Sequence, residues 1–208
     1  MKEFTLAMAL VDFIPVLLFA AAAIILQRDL YFRMSKGAFA LFAAGTIDVI
    51  CAGALKALYK LLYALGVCDF TALNQMFFPV QSLGFLLAGL GMIAMLTHRQ
   101  GRTMAIAAAP AVWSGTFLFV GLMVAGLAMM DAVPCSLAKR VGRPAARILF
   151  LVSFILCLGM GYLSSKSFDK AAMNWIAQGI NILGQGTLLA GVLMLHRAGL
   201  RAASSAQA

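Results

Sequence analysis

Charge is what this sequence has least of. Only 11% of its 208 residues are Asp, Glu, Lys or Arg, and the acids are the scarcer sign, 7 against 16 basic residues. So little charge cannot clothe a soluble domain in a solvated surface, which excludes an ordinary globular protein. Histidine and tryptophan are equally sparse, at 2 each. The four cysteines show no CxxC or Cys/His spacing: Cys51 and Cys157 fall within apolar segments, Cys68 and Cys135 near segment ends. They read as small apolar filler, so no metal centre, disulfide framework or cofactor is expected. There is no HExxH and no GxSxG, and the lone Ser114-Gly115 in VWSGTF makes no nucleophile, so no catalytic residues are expected and the chain does not read as an enzyme.

What is abundant is hydrocarbon. Hydrophobic residues make up 63% of the chain, and the mean hydropathy is +0.98. Crossing ~30 Å of lipid at ~1.5 Å per helical residue takes about 20 apolar residues. Six stretches qualify, at roughly 5–26, 38–62, 76–96, 104–130, 146–163 and 172–195. The expected fold is therefore an all-α integral membrane protein with six transmembrane helices. The opening stretch is too long for a signal peptide and contains Asp12, so it reads as the first membrane helix. The segments between helices leave no room for a soluble domain.

The net charge of +9 would suggest nucleic acid in a soluble chain. Here the basic residues sit in loops and termini, where lipid headgroups explain them, and no nucleic-acid partner is expected. With six crossings, Lys2, Lys56, Lys60, Lys139, Arg140, Arg143, Arg147, Arg197 and Arg201 share the side of the termini. Arg28, Arg33, Lys36, Arg99, Arg102, Lys166 and Lys170 take the other side. The dense cluster from Lys139 to Arg147 puts both termini in the cytoplasm, across a plasma (inner) membrane, although so even a split also fits a dual-topology chain.

The chain repeats itself at a shift of 100 residues. DFTALNQMFFPVQSLG (69–84) aligns without gaps on DKAAMNWIAQGINILG (169–184), with Asp69/Asp169, Asn74/Asn174 and Gly84/Gly184 identical. LLAG follows in each copy, and the copies end in His98-Arg99 and His196-Arg197. A weaker, gapped match sets Leu41-Phe42 on Leu149-Phe150 and Cys51 on Cys157. Two units of three helices follow, residues 1–100 and 101–208, forming one membrane domain. An odd number of crossings per unit predicts a 3+3 inverted-topology repeat, with its pseudo-twofold axis in the membrane plane. The two His-Arg endings oppose this, because basic endings on one side require an even number of crossings between them. One resolution is that a segment does not span, and the fourth, with Ala105 to Pro110 as a partial entry, is the candidate.

Each copy carries amides on one helical face. Asn174, Gln178, Asn181 and Gln185 are spaced to stack, and their counterparts are Asn74, Phe78, Gln81 and Phe85. One or two such amides serve as interhelical glue, whereas a stripe in both copies suggests a polar path. Pro79 frees the carbonyl of Gln75, which predicts an interruption of the third helix, with Gly179 in the matching place. Asp69 and Asp169 read as N-caps, and Gly84 with Ala88 and Gly186 with Ala190 as close-packing pairs. His98 and His196 read as headgroup contacts. Asp48 and Asp12 lie inside apolar segments, where a carboxylate costs ~3 kcal/mol and so faces the interior. Asp48 is the expected cation or proton site, the alternative being an ion pair with Lys56.

The expected function is transport or channelling of a small neutral, zwitterionic or cationic solute, with proton or cation coupling. Its path runs between the third and sixth helices and uses Asp48, Asn74, Gln75, Gln81, Asn174, Gln178, Asn181, Gln185 and Asp12. The alternative is a non-transporting membrane subunit. The expected partners are lipids, the solute or ion, and a second copy or a partner subunit.

Overall fold

The computed structural model describes residues 5–97, 116–164 and 171–200. Among them the chain is helical without strands: α1 (Leu6–Val11), α2 (Phe13–Leu30), a 3-10 turn (Tyr31–Arg33), α3 (Lys36–Ala64), α4 (Thr71–Thr97), α5 (Thr116–Arg140), α6 (Pro144–Ser164) and α7 (Ala171–Arg197). Among the described residues five spans are long and apolar enough to cross a membrane, and α6 adds a shorter apolar stretch. The bundle wears hydrocarbon outside: Leu17, Ile47, Ile148, Ile155 and Leu183 are all more than half exposed.

Local chemistry sets the ends. Thr5 caps α1 by accepting from the Met8 N–H at 3.2 Å, and Ser35 caps α3 by accepting from the Ala38 N–H at 3.2 Å. The first membrane helix is broken at Asp12, between α1 and α2. Pro15 is the cause, since it has no N–H and its ring crowds the carbonyl of Val11 one turn earlier. Gly142, with φ of +67°, stops α5, and Pro144 opens α6, where its missing N–H costs nothing. The expected interruption at Pro79 is absent, for α4 runs through it unbroken.

Helix directions follow from contacts spaced along the elements. Phe78 meets the ring of Phe119, and a Cβ on Gly89 would meet Gly126 and Met129, so α4 and α5 run the same way. Gln178 reaches Asp12 while His196 reaches Asp29, so α2 and α7 also run the same way. The neighbours α3 and α6 run opposite: Gly45 faces Gly84 and Ala88, Phe42 faces Gly91, and Phe150 faces Gly191. Each helix touches the next, and α7 closes the ring on α2.

These directions correct three sequence expectations. The two three-helix halves have the same sense, so the inverted arrangement is not the one found. Thr97 and Thr116 stand at opposite ends of the bundle, and the connection 98–115, including the suspected entry at 105–110, lies outside the described residues. The first and last described helices likewise begin and end at opposite ends, so the described ends do not share a side. Finally, the fourth expected segment, 104–130, stopped where Asp131 interrupts the apolar run. The helix there runs from Thr116 to Arg140 and buries that aspartate.

Among the described residues the basic side chains are unevenly divided. Arg28, Arg33, Lys36, Lys139, Arg140, Arg143, Arg147 and Arg197 all belong to one end, where α2, α4, α5 and α7 finish and α3 and α6 start. In this arginine half the backbones nearly touch. A methyl on Gly45 would collide with the backbone of Gly84 and Ala88, one on Gly91 with Ala38 and Phe42, and one on Gly126 with Phe85 and Leu86. Gly84 packs as expected, but Gly186 has open space around it and is no packing contact. His196 stays half exposed, and its Nδ1 lies 2.9 and 3.0 Å from the carboxylate oxygens of buried Asp29, tying α7 to α2.

Candidate functional site

The opposite half of the bundle is hollow. A cavity of about 510 Å³ is lined by the first half of α2, the end of α3, the starts of α4, α5 and α7, and the end of α6. All eight matched stripe positions line it: Asn74, Phe78, Gln81 and Phe85 from α4, and Asn174, Gln178, Asn181 and Gln185 from α7. The 4-3-4 spacing therefore places both stripes on helical faces that look into one space. Asn174, Gln178 and Gln185 are buried, Gln81 and Asn181 half-buried, and Asn74 is exposed.

The helix break at Asp12 supplies the most polar wall. Gln178 Nε2 donates to Asp12 Oδ1 at 2.8 Å and to the Met8 carbonyl at 2.9 Å. Because both partners are acceptors, the amide orientation is fixed with nitrogen toward them. The other oxygen of Asp12 pairs with the ammonium of Lys60, whose side chain is 9% exposed. The Met8 carbonyl, which also accepts the Asp12 backbone N–H at 3.2 Å, and the Asp12 carboxylate thus join Gln178 and Lys60 in a polar cluster beside the cavity at the helix break. Gln178 Oε1 and Gln185 Oε1 are buried without a hydrogen-bond partner among the described residues, and Gln185 Nε2 makes a weak contact with Cys157 Sγ at 3.7 Å.

Two further cavity groups come from the end of α3. Lys56 Nζ sits 4.0 Å from the centroid of the Phe77 ring, a cation–π contact, and no carboxylate pairs with it among the described residues. Buried Tyr59 donates its hydroxyl to Asp69 Oδ1 at 3.0 Å. That is the role of Asp69, in place of the expected N-cap, because α4 does not begin until Thr71. Asp169 and His98 lie outside the described residues.

Two sequence-predicted residues stand apart from the cavity. Asp48 is half-buried on the face of α3 that packs against Gly84, and Gln75 is exposed. Neither lines the cavity, and Asp48 forms no ion pair with Lys56.

Sequence reasoning missed Lys56, Lys60, Tyr59 and Asp131. The lysines were assigned to a loop although they fall inside the apolar segment 38–62, and their four-residue spacing puts them on one helical face. Asp131 is 6% exposed, its Oδ1 has no partner, and it borders a second cavity of about 10 Å³ beside Ser153, Cys157 and Gln185. Its signal was one carboxylate in an apolar run. No group of three or more His, Cys, Asp or Glu among the described residues could hold a metal. No protein-family model, curated protein or solved structure matches the chain.

Proposed function

We propose that this protein is a small membrane transporter that takes a polar solute into the cavity between α4 and α7. The observation that carries this reading is the convergence of both amide stripes on one cavity large enough for a small organic molecule. Amides glued to each other would leave no such space. The reading includes a duplicated three-helix unit, with the helices of each copy in the same sense and the pseudo-twofold axis along the bundle rather than in the membrane plane. Matched packing supports it: Gly91 seats against Phe42 as Gly191 does against Phe150, and Gly84 against Val49 as Gly184 does against Cys157. In a bacterial-type inner membrane the positive-inside rule sets the arginine end in the cytoplasm and opens the cavity to the other side.

A second reading has its own observation. Close glycine packing brings the helices of the arginine half together, and a cavity confined to the other half suits a solute-binding subunit that a partner completes. Reconstitution of the purified chain in liposomes separates the two. Uptake of a labelled zwitterion mixture by the chain alone supports the transporter, and retention without passage until a second subunit is added supports the subunit.

A further inference from the structure

Resting on that reading of the cavity, we infer the class of solute: a small organic carboxylate with an apolar body and an N–H donor, as in an amino acid. Three features of the lining specify it. The first is charge. The wall holds two ammoniums and one carboxylate, and Asp12 is already engaged by Lys60 and Gln178. Lys56 lies within electrostatic reach of Lys60 and Asp12, but its close contact among the described residues is the Phe77 ring, which partly compensates a cation and offers no hydrogen-bond acceptor. A solute carboxylate completes its coordination, and burial away from bulk water strengthens that pairing.

The second feature is the pair of unmatched acceptors. Gln178 is 4% exposed and Gln185 8%, and the Oε1 of each lacks a donor. The orientation of Gln178 is fixed by its two acceptor partners, so its oxygen cannot be satisfied by flipping the amide. A buried acceptor without a partner costs ~1–3 kcal/mol, which an ammonium or N–H of the solute relieves. The third feature is the apolar remainder, supplied by Phe19, Phe77, Phe78, Phe85 and Met123, which suits a hydrocarbon or aromatic body. Among the solutes expected from the sequence, the zwitterion meets all three conditions and a simple cation meets only the last two.

Four probes sharing one aromatic body test the assignment: phenylalanine, 3-phenylpropionate, phenethylamine and benzyl alcohol. Each is added to the full chain in detergent, and the thermal unfolding midpoint is read for the wild type, Lys56→Met and Lys56→Arg. The expected result is the largest upward shift with phenylalanine, a smaller one with phenylpropionate, and none with the amine or alcohol. Lys56→Met then binds both carboxylates roughly tenfold or more weakly, while Lys56→Arg keeps the response. Phenethylamine matching phenylalanine, or carboxylate binding unchanged in Lys56→Met, overturns the assignment. So does a wild type that answers none of the probes while Asn181→Cys in the cavity reacts with a water-soluble thiol reagent. If the cavity is closed to that reagent as well, the failure belongs to the transport reading itself.

Discussion

Gln178 donates a hydrogen bond to Asp12 across 166 residues of chain, at 2.8 Å, and so joins the start of the last helix to the break in the first. The same amide nitrogen holds the Met8 carbonyl. Replacing Gln178 with Leu is expected to lower stability by about 1 kcal/mol, the scale of an interhelical hydrogen bond in a membrane protein. Unfolding in detergent micelles measures it, and an unchanged midpoint would mean that the break in the first helix is held by other groups.

Asp12 and Lys60 form a pair whose side chains are only 14% and 9% exposed. Removing one partner of a buried pair strands the other and typically costs about 3 to 5 kcal/mol. Asp12→Asn and Lys60→Met should each destabilise clearly, and the double variant by less than their sum. Additive losses in the double-mutant cycle would show that the two charges act independently.

Gly45 and Gly186 should respond in opposite ways. Gly45→Ala drives a methyl into the backbone of α4 and is expected to cost about 1 to 3 kcal/mol, as overpacking does. Gly186→Ala meets open space and adds helix propensity, so its stability should hold or rise. Equal effects at both sites would contradict the packing described for the arginine half.

Asp131 is buried with an unpartnered oxygen, so its burial is a cost to the fold rather than a support. Asp131→Asn keeps the shape and removes the carboxylate, and it is expected to raise stability by about 1 kcal/mol. A loss of stability would show that the carboxylate holds a partner.

Much of this was legible in the sequence, and the failures have a common cause. Apolar length marked the helices, and the 4-3-4 amide spacing marked the two faces that line the cavity. Direction was not legible, because the even charge split depended on counting crossings, and apolar length alone does not show that the third and fourth long helices run the same way. The break in the first helix was signalled by Pro15, yet Pro79 received the weight. A proline ring disrupts a helix only as far as its neighbours permit, and α4 is held along its length by α3 and α5. Asp48 shows the remaining limit: spacing tells that a carboxylate is in the membrane, while the packing of its face against Gly84 decides that it stays off the cavity.

The central claim is that the amide faces of α4 and α7 enclose a space open to water. Single cysteines at Gln81, Asn181 and Leu183, placed in a background without the native cysteines, test it through reaction with a charged methanethiosulfonate reagent in intact liposomes. Gln81 and Asn181 line the cavity, whereas Leu183 is 61% exposed on the outer surface of the same helix. Fast reaction at Gln81→Cys and Asn181→Cys with little at Leu183→Cys is the predicted result. Silence at both cavity positions, or reaction no faster than at Leu183→Cys, would contradict it.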